Sequence, residues 1–111
     1  MPKTPEGELK AQIVEYLLGI GGVVEPLMTG QVRGGVRRYS TPKRSTGRAD
    51  ILWLYEGCAI AIEVKAGTKQ RPDQQVWEKL WKLHGGLYWL IDSIEALHMR
   101  VNGVFLSPSL P

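Results

Sequence analysis

The sequence predicts an α/β protein: one mixed central β-sheet with helices packed on its faces. Two observations predict it. Apolar positions at helical spacing alternate along the chain with short runs rich in β-branched and aromatic residues. Glycines mark most of the boundaries between them. The expected order is helix, strand, basic loop, β-hairpin, helix, strand, helix.

Thr4-Pro5 has the form of an N-cap followed by proline at the first helical position. Leu9, Ile13, Tyr16 and Leu17 then recur at helical spacing, which predicts an amphipathic helix over 5–18, ended by Gly19, Gly21 and Gly22. Val23 to Met28 reads as a strand, and Pro26 within it argues for an edge position or a bulge. Residues 29–47 read as irregular, with a short strand near Val36–Tyr39. The runs Ile51–Tyr55 and Ala59–Ile62 read as a hairpin around the turn signal Glu56-Gly57. Pro72-Asp73-Gln74 opens a second helix to about His84, with Val76, Trp77, Leu80, Trp81 and Leu83 as its apolar positions and Gly85-Gly86 as its stop. Trp77 and Trp81, like Trp53 and Trp89 within strands, are expected in the core. Leu87–Ile91 is an apolar strand, Ser93 can cap a last helix near 94–100, and the tail 101–111 is expected to fray or dock as coil.

With 111 residues, the chain is expected to form one domain over 1–111, with a core of adequate size. The single cysteine, Cys58, excludes an internal disulfide and a cysteine-based zinc site. No apolar run reaches the roughly 20 residues of a membrane span, and the opening Met-Pro-Lys-Thr-Pro-Glu lacks a signal-peptide core. A soluble, cytoplasmic protein is expected. His84 and His98 stand in no metal-binding motif. The stretch Gly30 to Gly35 lacks the context of a phosphate-binding P-loop, so no nucleotide cofactor is expected.

The net charge of +3 is unevenly placed. From Pro26 to Ala49 there is no Asp or Glu, yet Arg33, Arg37, Arg38, Lys43, Arg44 and Arg48 fall there, six of the fourteen basic residues. Such a segment, the basic loop 29–48, suits contact with nucleic-acid phosphates.

The hairpin carries the sharpest chemistry. If Glu56-Gly57 is its turn, Asp50 faces Glu63 across the strands with Cβ atoms roughly 4.5–5.5 Å apart. Lys65, two residues on, shares the face of Glu63, whereas Ile60, Ile62 and Val64 point the other way. Two carboxylates directly opposed repel, and a divalent cation between them reverses that sign.

Asp50, followed after twelve residues by Glu63-Val64-Lys65, resembles the catalytic signature of the PD-(D/E)xK nuclease superfamily. Gly47-Arg48-Ala49-Asp50 before an apolar strand, and Pro72-Asp73-Gln74 with Trp77 and Gly85-Gly86, resemble the flanks of its virus-type replication-repair nuclease branch, the VRR-NUC domain. Glu6 resembles that branch's leading acid; Glu8 and Glu15 compete for the place. The resemblance covers roughly residues 5 to 97. It implies a restriction-endonuclease-like core and phosphodiester hydrolysis with Mg²⁺ or Mn²⁺. It also implies a small phage-like protein acting as a homodimer on branched DNA such as four-way (Holliday) junctions, in the host cytoplasm. Carried over by position, Asp50, Glu63, Glu6 and the Val64 carbonyl are metal ligands. Asp50, Glu63, Lys65, Gln74 and Glu6 form the catalytic set, with Gln75 as the fallback for Gln74. Two anions beside Lys65 favour its charged form, and so charge stabilisation over a role as base. The rivals are a monomeric nicking or flap nuclease, a non-catalytic DNA-binding module on the same fold, and an RNA-binding protein.

Overall fold

The computed structural model describes residues 4–27 and 47–106. The expected strand near Val36–Tyr39, the basic residues Arg33, Arg37, Arg38, Lys43 and Arg44, and the end of the tail lie outside the described residues.

Helix α1 spans Pro5–Ile20. Its Thr4 cap accepts the Gly7 N–H at 2.9 Å, satisfying one of the donors that a helix start leaves open. Leu9, Ile13 and Leu17 are its buried stripe. The helix passes through Gly19 and stops at Gly21, two residues beyond the expected end, where the Gly21 N–H bonds the Leu17 carbonyl. A single glycine weakens a helix without ending it. Strand β1 (Val23–Pro26) follows, with Pro26 at the end of the strand that lies at the sheet's edge among the described residues.

β2 (Ile51–Tyr55) and β3 (Cys58–Val64) form the expected hairpin. Glu56 and Gly57 both have positive φ, at 51° and 78°, the combination a type I′ turn requires. Helix α2 (Pro72–Leu83) then crosses to β4 (Leu87–Ile91), which pairs parallel with β3. The sheet order is β1-β2-β3-β4, antiparallel in its first two pairings and parallel in the third. α3 (Ile94–Val101) starts at Ser93, whose hydroxyl accepts the Ala96 N–H at 3.0 Å.

The two faces of the sheet are finished differently. On one, Ile51, Trp53, Ile60, Ile62, Val64, Trp89 and Ile91 pack with Leu9, Ile13 and Leu17 of α1 and with Leu97 and Val101 of α3. On the other, Ala49, Ala61 and Tyr88 form a smaller cluster under Trp77, Trp81 and Leu52. Here the expectation for α2 needs correction. Trp77 and Trp81 are half-buried and stack on each other with ring centroids 5.0 Å apart. Val76, Leu80 and Leu83 are exposed, and Gln74 is the buried residue of the helix. A helix lying along part of a sheet can press only a narrow strip of its surface inward, so its other apolar positions face outward.

The expected coil after α3 is also corrected. Residues Asn102–Leu106 continue as a wider π-helical turn. It brings Phe105 edge-on to Trp53 and Tyr55, with centroids 5.7 and 5.0 Å away. Phe105→Ala should therefore lower stability by about 1–3 kcal/mol, measured by urea unfolding; an unchanged midpoint would mean that this turn does not dock.

Candidate metal and catalytic site

The hairpin register is the one read from the sequence: Ile51 pairs with Ile62 and Tyr55 with Cys58. Asp50 lies just before the paired residues: its N–H bonds the carbonyl of Ile62, the partner of Ile51, at 3.0 Å, and its own carbonyl accepts from Leu27 at 2.7 Å. Asp50 is thus fixed between β1 and β3. One carboxylate oxygen, Oδ2, accepts the Val64 N–H at 2.8 Å.

Glu63 lies on the face that carries α2 and is only 1% exposed. Its Oε2 accepts from Gln74 Nε2 at 2.6 Å, and Tyr88 donates its hydroxyl to Oε1 at 3.3 Å. Lys65 Nζ stands 3.5 Å from Oε2, its side chain nearly buried. Gln74 also acts at its other end. Its Oε1 accepts the Arg71 N–H at 2.8 Å, the return half of a capping box. The same amide starts α2 and holds Glu63, and with acceptor and donor both engaged its orientation is fixed.

Gly47 sets the distance between these parts. It has φ of 78°, and a Cβ there would collide with the Asp73 carbonyl and the Gln74 nitrogen. The lead-in to Asp50 can lie on the first turn of α2 only because this residue has no side chain.

Glu6 is half-buried in the first turn of α1 and accepts from Thr68 Oγ1 at 2.5 Å, which ties the segment after Lys65 to the helix. Its competitors Glu8 and Glu15 are exposed. Among the described residues no three His, Cys, Asp or Glu side chains gather to hold a metal. Arg48 lies half-buried two residues before Asp50, and Gln75 is exposed on α2. Sequence reasoning misses Tyr88. It sits in an otherwise apolar strand, and the one available signal is that a buried tyrosine hydroxyl needs a partner.

Electrostatics match the geometry. Burial, then the negative charge of Asp50, pushes Glu63 up to about 7, while Lys65 opposes the rise. Burial and the nearby Glu63 charge also push the Tyr88 phenol up, so it stays a donor. An acid pair of this kind has the donor chemistry for a hard divalent cation, which takes oxygen ligands and commonly one or two carboxylates.

The arrangement of these elements is a restriction-endonuclease-like α/β fold: among the described residues, a four-stranded mixed sheet flanked by three helices. A solved structure described as a VRR_NUC domain superposes with a TM-score of 0.67 at 21% identity, covering 93% of this chain and 99% of that one. The chain has the fold of that domain. No family profile and no curated protein matches the sequence. No helix among the described residues is long and apolar enough to cross a membrane.

Two measurements check the site. Gly47→Ala should cost about 2 kcal/mol or more, because it adds both strain and a collision with backbone; denaturant unfolding would register it. The raised pKa of Glu63 means that the metal-free folded state keeps a proton which the unfolded chain releases. Stability then falls as pH rises from about 4.5 towards 7 and stays lowered above that. In thermal melts with chelator between pH 4.5 and 8, the loss should be smaller in Glu63→Gln, the difference amounting to roughly 3 kcal/mol.

Proposed function

We propose that this protein is a divalent-metal-dependent DNA endonuclease. It hydrolyses phosphodiester bonds, selects branched DNA such as four-way (Holliday) junctions by structure, and acts in the cytoplasm as a homodimer in phage DNA repair. The observation that carries the reading is the buried Glu63, within reach of the Asp50 charge and with Lys65 at 3.5 Å, on a VRR_NUC-like fold.

Asp50 and Glu63, with the Val64 carbonyl, would hold Mg²⁺ or Mn²⁺. Bound there, the ion supplies Lewis acidity to the phosphate and lowers the pKa of water. Asp50 is pinned by backbone bonds on both sides, and Gln74 fixes Glu63. Both ligands are therefore oriented before substrate arrives, which is where rate enhancement of this kind originates. Lys65 places a positive charge beside the reacting phosphate and stabilises the negative charge that builds on it. Glu6, through Thr68, steadies the segment that follows Lys65. Arg33, Arg37, Arg38, Lys43, Arg44 and Arg48 hold flanking phosphates. Phosphate contacts position DNA without reading its sequence, which favours selection by shape.

The homodimer reading is supported by the exposed Val76, Leu80 and Leu83 of α2 and by Leu87 and Leu90 on edge strand β4. Apolar surface at these positions suits a two-fold interface, and two symmetric sites can cut both strands of a branch.

The decisive experiment incubates the protein with linear duplex, single-stranded, flap and four-way-junction DNA in Mg²⁺ or Mn²⁺, alongside light scattering for mass. The dimer should cut the junction, and Asp50→Asn and Lys65→Ala should each lose at least about 100-fold in rate. Cleavage of flaps by a monomer would favour the nicking or flap nuclease. Binding of DNA without cleavage, unchanged by either substitution, would favour a DNA-binding module and sink the nuclease reading.

A further inference from the structure

We propose that Tyr88 is a positioning residue for Glu63: its hydroxyl, aimed by Gln70, holds the Oε1 side of the carboxylate while Gln74 holds Oε2. The inference rests on the metal-dependent reading of the site and concerns how its buried ligand is kept in place.

The parallel register brings Tyr88 to the site. Ala61 pairs with Tyr88 and Glu63 with Leu90, so Tyr88 lies diagonally from Glu63 on the same face of the sheet. Its ring packs against Trp77, with centroids 6.2 Å apart, and only 8% of the residue is exposed. Gln70 Nε2 donates to the phenol oxygen at 3.2 Å. With that side of the oxygen taken, its single proton turns towards Glu63 Oε1 at 3.3 Å. Gln70 is itself fixed, since Nε2 also donates to Glu78 Oε1 at 2.9 Å and Glu78 pairs with Lys82 at 2.7 Å. A chain of polar contacts therefore runs from the surface of α2 to the buried carboxylate.

The terminal torsion of a glutamate is broad, and one partner on one oxygen leaves rotation about that contact open. Gln74 alone, at 2.6 Å from Oε2, is such a partner. A donor on Oε1 from a different element closes the remaining freedom. Oε1 has two lone pairs and Tyr88 takes one of them, so the carboxylate could still serve as a metal ligand. Groups that orient a metal ligand in this way typically contribute about 10–100-fold to metal affinity.

The test is Mn²⁺ binding to Tyr88→Phe, measured by titration calorimetry and by the electron paramagnetic resonance of free Mn²⁺. Phenylalanine keeps the ring packing on Trp77, so the melting temperature controls for any general loosening. The expected result is Mn²⁺ affinity about tenfold weaker, with the Mn²⁺ concentration for half-maximal DNA cleavage rising in step. Gln70→Ala should weaken Mn²⁺ binding in the same direction by a smaller factor. If Tyr88→Phe binds Mn²⁺ within twofold of wild type while Glu63→Gln loses binding, the role of Tyr88 is overturned and the metal site stands. If Glu63→Gln binds Mn²⁺ as wild type does, the metal reading fails and takes this inference with it.

Discussion

A slip of β3 by one residue against β2 would exchange the two faces of the strand. Glu63 would point into the core among Leu9, Ile13 and Trp89, and Ile62 would face Gln74. Everything at the site depends on that slip not happening. The register is held at one end by the Glu56-Gly57 turn, whose two positive φ values admit a two-residue loop of one geometry. At the other end Asp50 bonds through its backbone to Ile62 and through its side chain to the Val64 N–H. Between them Ile60, Ile62 and Val64 are buried on one face. The apolar core enforces the placement of the polar centre, because only one alignment buries the isoleucines and leaves Glu63 on the face that carries Gln74.

Burying Glu63 is costly in isolation, since taking a carboxylate out of water disfavours its charged form. The structure offsets part of that with hydrogen bonds from Gln74 and Tyr88 and the charge of Lys65, and leaves part in place. What remains is a site that gains from any group able to bring positive charge and accept carboxylate oxygens. Asp50 adds to the same bias, because its own charge raises the pKa of Glu63. A structural ion pair would instead be built with charges balanced.

Local signals make most of this legible from residue order alone. The hairpin, its turn and its register from Ile51 to Ile62 follow from alternation and a two-residue turn. The α1 and α3 caps follow from Thr4 and Ser93. Gly47 is readable as part of a motif, but its reason is not: the collision it avoids is with α2, more than twenty residues away along the chain. The same distance in sequence hides the partnership of Tyr88 with Glu63, which exists because a parallel crossover sets β4 beside β3. Helix periodicity misjudges α2 for a related cause. Spacing identifies an apolar stripe, yet how much of it is covered depends on the surface the helix lies upon. The turn at 102–106 has no periodic signal, and its docking follows from the aromatic pocket of Trp53 and Tyr55.

The double use of Gln74 has a dynamic consequence. In most helices the first turn frays readily, and its amides exchange with solvent more quickly than those of the interior. Here the amide group that closes the first turn of α2 also grips a side chain rooted in the central strand. Opening that turn would strip a buried anion of its nearest donor, so fraying is tied to disruption of the site. Hydrogen-exchange protection at the start of α2 should therefore track the state of Glu63, making these few amides a spectator of the carboxylate next to them.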